Sequence, residues 1–455
     1  MGFKEIWKEY MKNSSLHGAK FIVDEKYQYS EKIFWVICVL ASWMASVLLI
    51  RASLDAFENN AISFVVETSF LEWKTHFPAI AVCESKNLDS VQAMSDHLWG
   101  VDHDFTLEEV LSELTYFRGE SYHTIHECAD EEPTPGCLFT DYIKYARLVR
   151  SNCTKTLNQC QWNSEKKFNC CDYFFPMQTE LGTCFTINSM QTENPKKIKM
   201  PMISDKYTGP GKLKLEVLTE ANIYILGEED VPHLATPKSE ILPVTPHISY
   251  YRQISMKNIE NDPETRDVNV EQRNCRYPDE NVLNVHEYYS YSACSVQCRK
   301  DAQLKICNCT SHLMPRTPTH LHCNISGLTC LNEHYEELSI VIPKWSSAGR
   351  KGVVCDCLPS CTEIDVSIIH DSKDKSAMAE ARGNRKAVAQ IEIELSALPT
   401  ERYKRNVVRG RLDLVVSMGG TTGLFVGASL LSFVEILYYF TIRPYGNFLM
   451  ERRTK

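Results

Sequence analysis

In the last tenth of this 455-residue chain, Gly420, Gly423 and Gly427 stand at i, i+3 and i+7 inside one apolar run. On a helix they fall at about 0°, 300° and 340°, a narrow stripe where the backbone carries no side chain. Such a stripe supports close helix packing through Gly423-x-x-x-Gly427, or presentation of peptide dipoles to an ion. The glycines alone leave both open. Glu435 is the only charge in that run, and a carboxylate among apolar residues needs a water-filled cavity or a partner. An acidic ring that concentrates cations and a salt bridge with Arg443 both meet the need. No P-loop, HExxH or GxSxG pattern is present, and Gly427-Ala428-Ser429 has no histidine near it in sequence, so the chain reads as no enzyme.

Cysteine is the second reactive type. Nineteen are more than a reduced cytosolic enzyme carries without a metal or redox reason, which favours an oxidising compartment. Cys38 lies in an apolar run near the N-terminus, and the other eighteen fall between Cys83 and Cys361. Cys294-x-x-x-Cys298 puts two sulfurs on one helix face, and Cys355-x-Cys357 puts two on one side of an extended segment. A helix docked on such a segment can be stapled by consecutive rungs. Zinc is set aside in favour of disulfides, and no metal site or cofactor is read. Asn152, Asn308 and Asn324 open glycosylation sequons in the same region.

The elements that hold these residues follow from hydropathy and charge. A mean hydropathy of −0.27 averages two very apolar stretches with a long polar middle. Ile33 to Ile50 is eighteen residues without a charge, about 27 Å as a helix, close to the roughly 30 Å hydrocarbon core. Leu414 to Ile442 is about 43 Å as a straight helix, so tilt, a break or projection beyond the headgroups is expected. With 49 Lys and Arg against 58 Asp and Glu the net charge is −9, and tails totalling +4 leave −13 for residues 51–442. By the positive-inside tendency both termini are cytosolic, and the acidic middle, outside, is no partner for nucleic acid. Neither span carries the repeated arginines of a voltage sensor.

The reading is a membrane protein of two transmembrane helices flanking a large disulfide-rich α+β extracellular domain. Residues 1–32 are a cytosolic segment, 33–51 the first helix, 52–410 the extracellular domain, 411–442 the second helix and 443–455 a cytosolic tail. Within the domain, Lys212 to Leu218, Ile223 to Leu226 and Ala389 to Leu395 alternate as half-buried strands do. Thr106 to Leu114 and His286 to Leu304 read as helices, and the Pro-rich stretches at 231–246 and near 315–318 as loops.

Five features in order resemble the degenerin/epithelial sodium channel (DEG/ENaC) family, most closely its arthropod pickpocket-type branch. They are His17-Gly18, Phe77-Pro78-Ala79-Ile80 with Cys83, ELGTCFTIN from Glu180 to Asn188, YSACSVQC with ICNC and CDCLPSC from Tyr291 to Cys361, and Gly419-Gly420 leading to GLFVGASLLSFVE. The resemblance implies a trimer in which Gly427, Ala428 and Ser429 form an extended selectivity filter. There carbonyl and hydroxyl dipoles replace part of sodium's hydration shell. Gly420, Gly423 and Glu435 would line the pore, and His17, Gly18 and Val416 would act in gating. It also implies the bonds Cys83 to Cys184, Cys275 to Cys361, Cys294 to Cys357, Cys298 to Cys355, Cys307 to Cys330 and Cys309 to Cys323. Cys128, Cys137, Cys153, Cys160, Cys170 and Cys171 are left with fifteen connectivities.

The function so implied is an amiloride-sensitive, voltage-independent, sodium-selective channel subunit of the plasma membrane, opened by an extracellular chemical, osmotic or mechanical stimulus. Its partners are sodium ions, copies of itself or related subunits, membrane lipid and an extracellular ligand. No histidine follows the first span before His76, and Gln272-Arg273-Asn274 precede Cys275, so acid activation is not implied. The alternatives are a purinergic-like trimeric channel and a non-conducting two-span receptor or adhesion subunit.

Overall fold

The computed structural model describes residues 3–446 apart from 60, 69–72, 130–132, 139, 164, 166, 193–199, 345–348, 350, 376–387 and 400. The chain divides into two compact units. One holds Met1–Phe64, Asp262–Arg273 and Arg405–Lys455, and the other Val65–Asn261 and Asn274–Lys404.

In the second unit, alternation in sequence becomes alternation in burial. Strands Lys212–Val217 and Ala389–Leu395 pair antiparallel. Leu213, Leu215, Val217, Ile391, Ile393 and Leu395 all face one core with Phe77, Ile80 and Trp162. Each such side chain contributes roughly 1.5–3 kcal/mol by leaving water. On the opposite face Lys212 reaches Glu392 at 2.7 Å and Glu394 at 2.8 Å, and Lys214 reaches Glu392 at 2.8 Å. These strands belong to an eight-stranded sheet. A five-stranded sheet runs in the order Ile241–Val244, Glu220–Leu226, Ala79–Lys86, Gly182–Ile187 and Phe175–Thr179. Its edge strand corrects the reading of 231–246 as loop throughout. Pro243 is tolerated there because an edge position asks for no N–H on its open side.

The ELGTC stretch joins three parts of this unit. Glu180 forms a buried ion pair with Arg299, both side chains no more than 2% exposed. Glu180 also accepts the Leu234 N–H at 2.7 Å, and Arg299 donates to the Leu338 carbonyl at 2.8 Å. Cys184 is bonded to Cys83 across 101 residues, a closure worth about 4.7 kcal/mol on the chain-entropy account.

Helix Tyr291–Cys307 starts five residues later than the hydropathy pattern suggests. Asn281 donates to the His286 carbonyl at 2.8 Å and the Glu287 carbonyl at 2.7 Å, which fixes that stretch as a loop. Ser290 then caps the helix by accepting the Ala293 N–H at 3.0 Å. The helix carries Cys294, bonded to Cys357, and Cys298, bonded to Cys355, inside the outer bond of Cys275 to Cys361. Cys307 is bonded to Cys330 and Cys309 to Cys323, so all six bonds are those the resemblance implies. The structure resolves the open six as Cys128 with Cys137, Cys153 with Cys171 and Cys160 with Cys170. Cys38 is free.

The other unit is helical. Helix Tyr29–Asn59 extends well past the uncharged run at both ends and is about 46 Å long. Its apolar residues are exposed on several faces, with Ile37 61%, Trp43 51% and Leu49 46% accessible, as on a helix that meets lipid rather than water. Among the described residues it is the one helix long and apolar enough to cross a membrane by itself. Helix Arg411–Val426 and the helical segment Leu430–Gly446 pass the same test only as a pair, bent by 66° at their junction. Residues 447–455 of the tail lie outside the described residues.

Candidate permeation site

The junction is Gly427-Ala428-Ser429, and local sequence explains both sides of it. Gly427 takes the left-handed conformation at φ +72° and ends the upstream helix. Its N–H reaches the Gly423 carbonyl at 3.1 Å, and the Ala428 N–H reaches back to the Thr422 carbonyl at 3.3 Å. The return from a left-handed glycine to the carbonyl four residues back is the mark of an αL helix stop. Ser429 is extended, at φ −111° and ψ 171°, and starts the next helix. Its carbonyl accepts the Ser432 N–H at 3.0 Å, while its own N–H is taken by the Ser432 hydroxyl at 3.0 Å. A stop and a start therefore sit two residues apart. Among the described residues the Gly427 and Ala428 carbonyls receive no backbone N–H.

Against this junction lies the N-terminal segment. The His17 N–H donates to the Val426 carbonyl at 2.9 Å. A Cβ on Gly427 would stand 2.6 Å from His17 Cδ2, so glycine is required for room as well as for backbone conformation. Gly18 is bound twice over in the same way. It sits at φ +80°, and a Cβ there would meet Val39 Cγ2 of the long helix at 2.6 Å. Phe21 stacks on Trp35 with ring centroids 4.4 Å apart, fixing the segment to that helix. Helix Phe3–Asn13 packs Tyr10 against Tyr439 and Phe440.

The remaining candidates distribute as follows. The Glu435 carboxylate accepts from the Ser15 N–H and hydroxyl, each at 3.1 Å. Arg443 is not its partner but pairs with Glu9 at 2.8 Å. Gly420 and Gly423 have nothing within 4 Å of where a Cβ would be, so that stripe is open in the single chain. Val416 is 64% exposed on the upstream helix, and its neighbour Ser417 meets Ser53 at 3.1 Å between hydroxyls. His17, Gly18, Gly427 and Ser429 thus gather at one place, with Glu435 one turn below Ser432; Gly420, Gly423 and Val416 stand apart on the upstream helix. Ser15 and Ser432 were not singled out from sequence. The Ser429-x-x-Ser432 spacing carries a capping signal, whereas nothing in sequence marks Ser15 beyond its closeness to His17-Gly18.

The disulfide-rich unit holds a separate cavity of about 280 Å³ whose lining includes Asp230, Glu240, Glu363, Tyr291 and Val366. Burial first, then the neighbouring charges of Asp230, Glu363 and Asp365, push the Glu240 carboxyl up to about 7. Glu229, next to Asp230 in the chain, is likewise pushed up to about 7, by burial and then Asp230, although the Thr362 hydroxyl donates to it. Cys307, Cys330 and His334 cluster closely enough to suggest a metal centre. Two of the three are spent in one disulfide, so no thiolate is left for a metal.

The sequence matches the profile of the family described as amiloride-sensitive sodium channel over residues 10–439. It is 22% identical to sodium channel protein Nach of Drosophila ananassae over 98% of this chain and 89% of that one. Pickpocket protein 19 of Drosophila melanogaster is 21% identical over 97% of this chain and 91% of its own. The bile acid-sensitive ion channel of Mus musculus is 23% identical over 96% and 88%. A profile match across nearly the whole chain, with insect relatives of both kinds at full length, makes this chain a member of the amiloride-sensitive sodium channel (DEG/ENaC) family, a family of ion channels and not of enzymes, in its arthropod pickpocket branch.

Proposed function

We propose that the chain is a subunit of a trimeric, sodium-selective cation channel of the plasma membrane, with both termini cytosolic and the disulfide-rich unit outside. The observation that carries this is the break at Gly427–Ser429 inside an otherwise apolar helix pair. Interrupted backbone in hydrocarbon costs several kcal/mol for each unpaired group, so a break is stable only where protein or pore water takes those groups. Three copies around an axis would turn the Gly427 and Ala428 carbonyls and the Ser429 hydroxyl to a partly dehydrated ion, which favours sodium over potassium by size and field. The open Gly420 and Gly423 stripe supports the same axis. Amiloride block between Val416 and Ser429, independence of voltage and an extracellular stimulus belong to this reading.

The test is whole-cell current with sodium and then potassium outside, with and without amiloride. A reversal potential indifferent to sodium removes the proposal. Ser429→Cys is expected to change the permeability ratio or confer block by thiol reagents; unchanged conduction would reassign the tract to helix packing. Family membership sets aside the purinergic alternative. Surface expression without current, alone and with related subunits, would favour the non-conducting reading.

A further inference from the structure

We infer that Ser15 is a positioning residue for the helix break, and that Glu435 serves to hold Ser15 rather than to stand as a free acidic ring. The inference rests on the reading of Gly427–Ser429 as the filter. It comes from counting hydrogens in one small cluster. Ser15 Oγ lies 3.1 Å from Glu435 Oε2 and 2.7 Å from Ser432 Oγ, and Ser432 Oγ lies 3.0 Å from the Ser429 nitrogen. The carboxylate oxygen accepts twice, from the Ser15 N–H and from its hydroxyl. Ser15 has one hydroxyl hydrogen, and the carboxylate takes it. Ser432 must then donate to Ser15, which leaves a Ser432 lone pair to accept the Ser429 N–H.

The favoured direction runs from the Ser429 N–H to Ser432, from the Ser432 hydroxyl to Ser15 and from the Ser15 hydroxyl to Glu435; the reverse, with Ser432 turned to the Ser429 hydroxyl at 3.4 Å, would set a Ser15 lone pair against the carboxylate oxygen at 3.1 Å. The backbone of the filter is thereby tied to a carboxylate one turn below through a residue more than 400 positions away in sequence. Ser432 is 3% exposed behind an exposed Ser15, so when Ser15 loses its hydroxyl only exchanging water, not a group fixed to Glu435, can take its place. The Ser432 hydroxyl, no longer held in one orientation, then fixes the Ser429 N–H less firmly.

The experiment uses the full-length channel with sodium and potassium as the probes. Ser15→Ala and Glu435→Ala each lower the sodium-to-potassium permeability ratio at least threefold, and the double variant is no worse than either single one. Ser15→Thr keeps the hydroxyl, and Glu435→Gln keeps an acceptor oxygen without the charge, so both stay within twofold of wild type. A wild-type ratio in Ser15→Ala, additive effects in the double variant, or Glu435→Gln as damaged as Glu435→Ala would overturn the inference. An arm independent of current separates it from the filter reading. In Ser15→Cys/Ser432→Cys, mild oxidation should yield the cross-linked peptide by mass spectrometry. If that cross-link forms while Ser429→Cys is indifferent to thiol reagents, the filter reading falls and the Ser15 contact stands. If Ser429→Cys is blocked and no cross-link forms, the Ser15 inference falls alone.

Discussion

Gly427→Ala tests the geometry of the break most directly. At φ +72° an L side chain costs about 1–2 kcal/mol in backbone energy. The new Cβ would stand 2.6 Å from His17 Cδ2 and 2.8 Å from Nε2, so the imidazole must withdraw by about 1 Å to reach ordinary contact. That withdrawal breaks or stretches the 2.9 Å bond from the His17 N–H to the Val426 carbonyl, worth about 1 kcal/mol. Together the seated junction loses about 2–3 kcal/mol, roughly a 30- to 150-fold shift toward other arrangements. The assay is the sodium-to-potassium permeability ratio in whole cells, with surface labelling to confirm delivery. The ratio should collapse toward unity in Gly427→Ala. Adding His17→Ala removes the ring that collides and should restore part of the loss, leaving only the backbone cost. A wild-type ratio in Gly427→Ala, or a double variant worse than the single one by the full effect of His17→Ala, would refute the reasoning.

Three further outcomes follow from the disulfide-rich unit. Burial, and then the charge of Asp230, pushes the Glu229 carboxyl up from its ordinary 4.5 to about 7, so the folded state binds the extra proton between those values. Stability therefore falls by up to about 3 kcal/mol as pH rises from 4.5 to 7 and is flat above. Thermal unfolding of the full chain in detergent should show this slope, and Glu229→Gln should reduce it; an unchanged slope would refute the assignment. Arg299→Leu leaves the Glu180 carboxylate buried without its partner and should cost about 3–5 kcal/mol, read as loss of surface-labelled protein, with Lys344→Ala, whose ion pair with Asp356 is exposed, as the near-neutral control. Replacing Cys83 and Cys184 together by Ala should lower stability by about 2–5 kcal/mol, seen as a lower melting temperature, while a change of less than about 1 kcal/mol would show that the bond constrains little.

Much of the architecture is legible in sequence because its determinants are local. Lys212 to Val217 and Ala389 to Leu395 show their buried faces in a two-residue period, and Gly427 with Ser429 spells a helix stop and a helix start. What sequence hides is contact over long separation. Nothing near Ser15 announces Glu435, and nothing near Glu435 excludes Arg443, which instead found Glu9. The start of helix Tyr291–Cys307 was hidden for a related reason, since Asn281 claims the two carbonyls that would have opened it. Pro243 misled because an edge strand and a loop suit proline equally well.

The nesting of Cys298–Cys355 within Cys294–Cys357 within Cys275–Cys361 imposes an economical order of oxidation. Once the innermost pair closes, the next two thiols are only a few residues from a shared tether, so each later closure spans a short effective loop instead of 63 or 86 residues. The stack can close like a zip fastener from its inner end. By the same logic one mispaired inner thiol would leave every outer pair out of step.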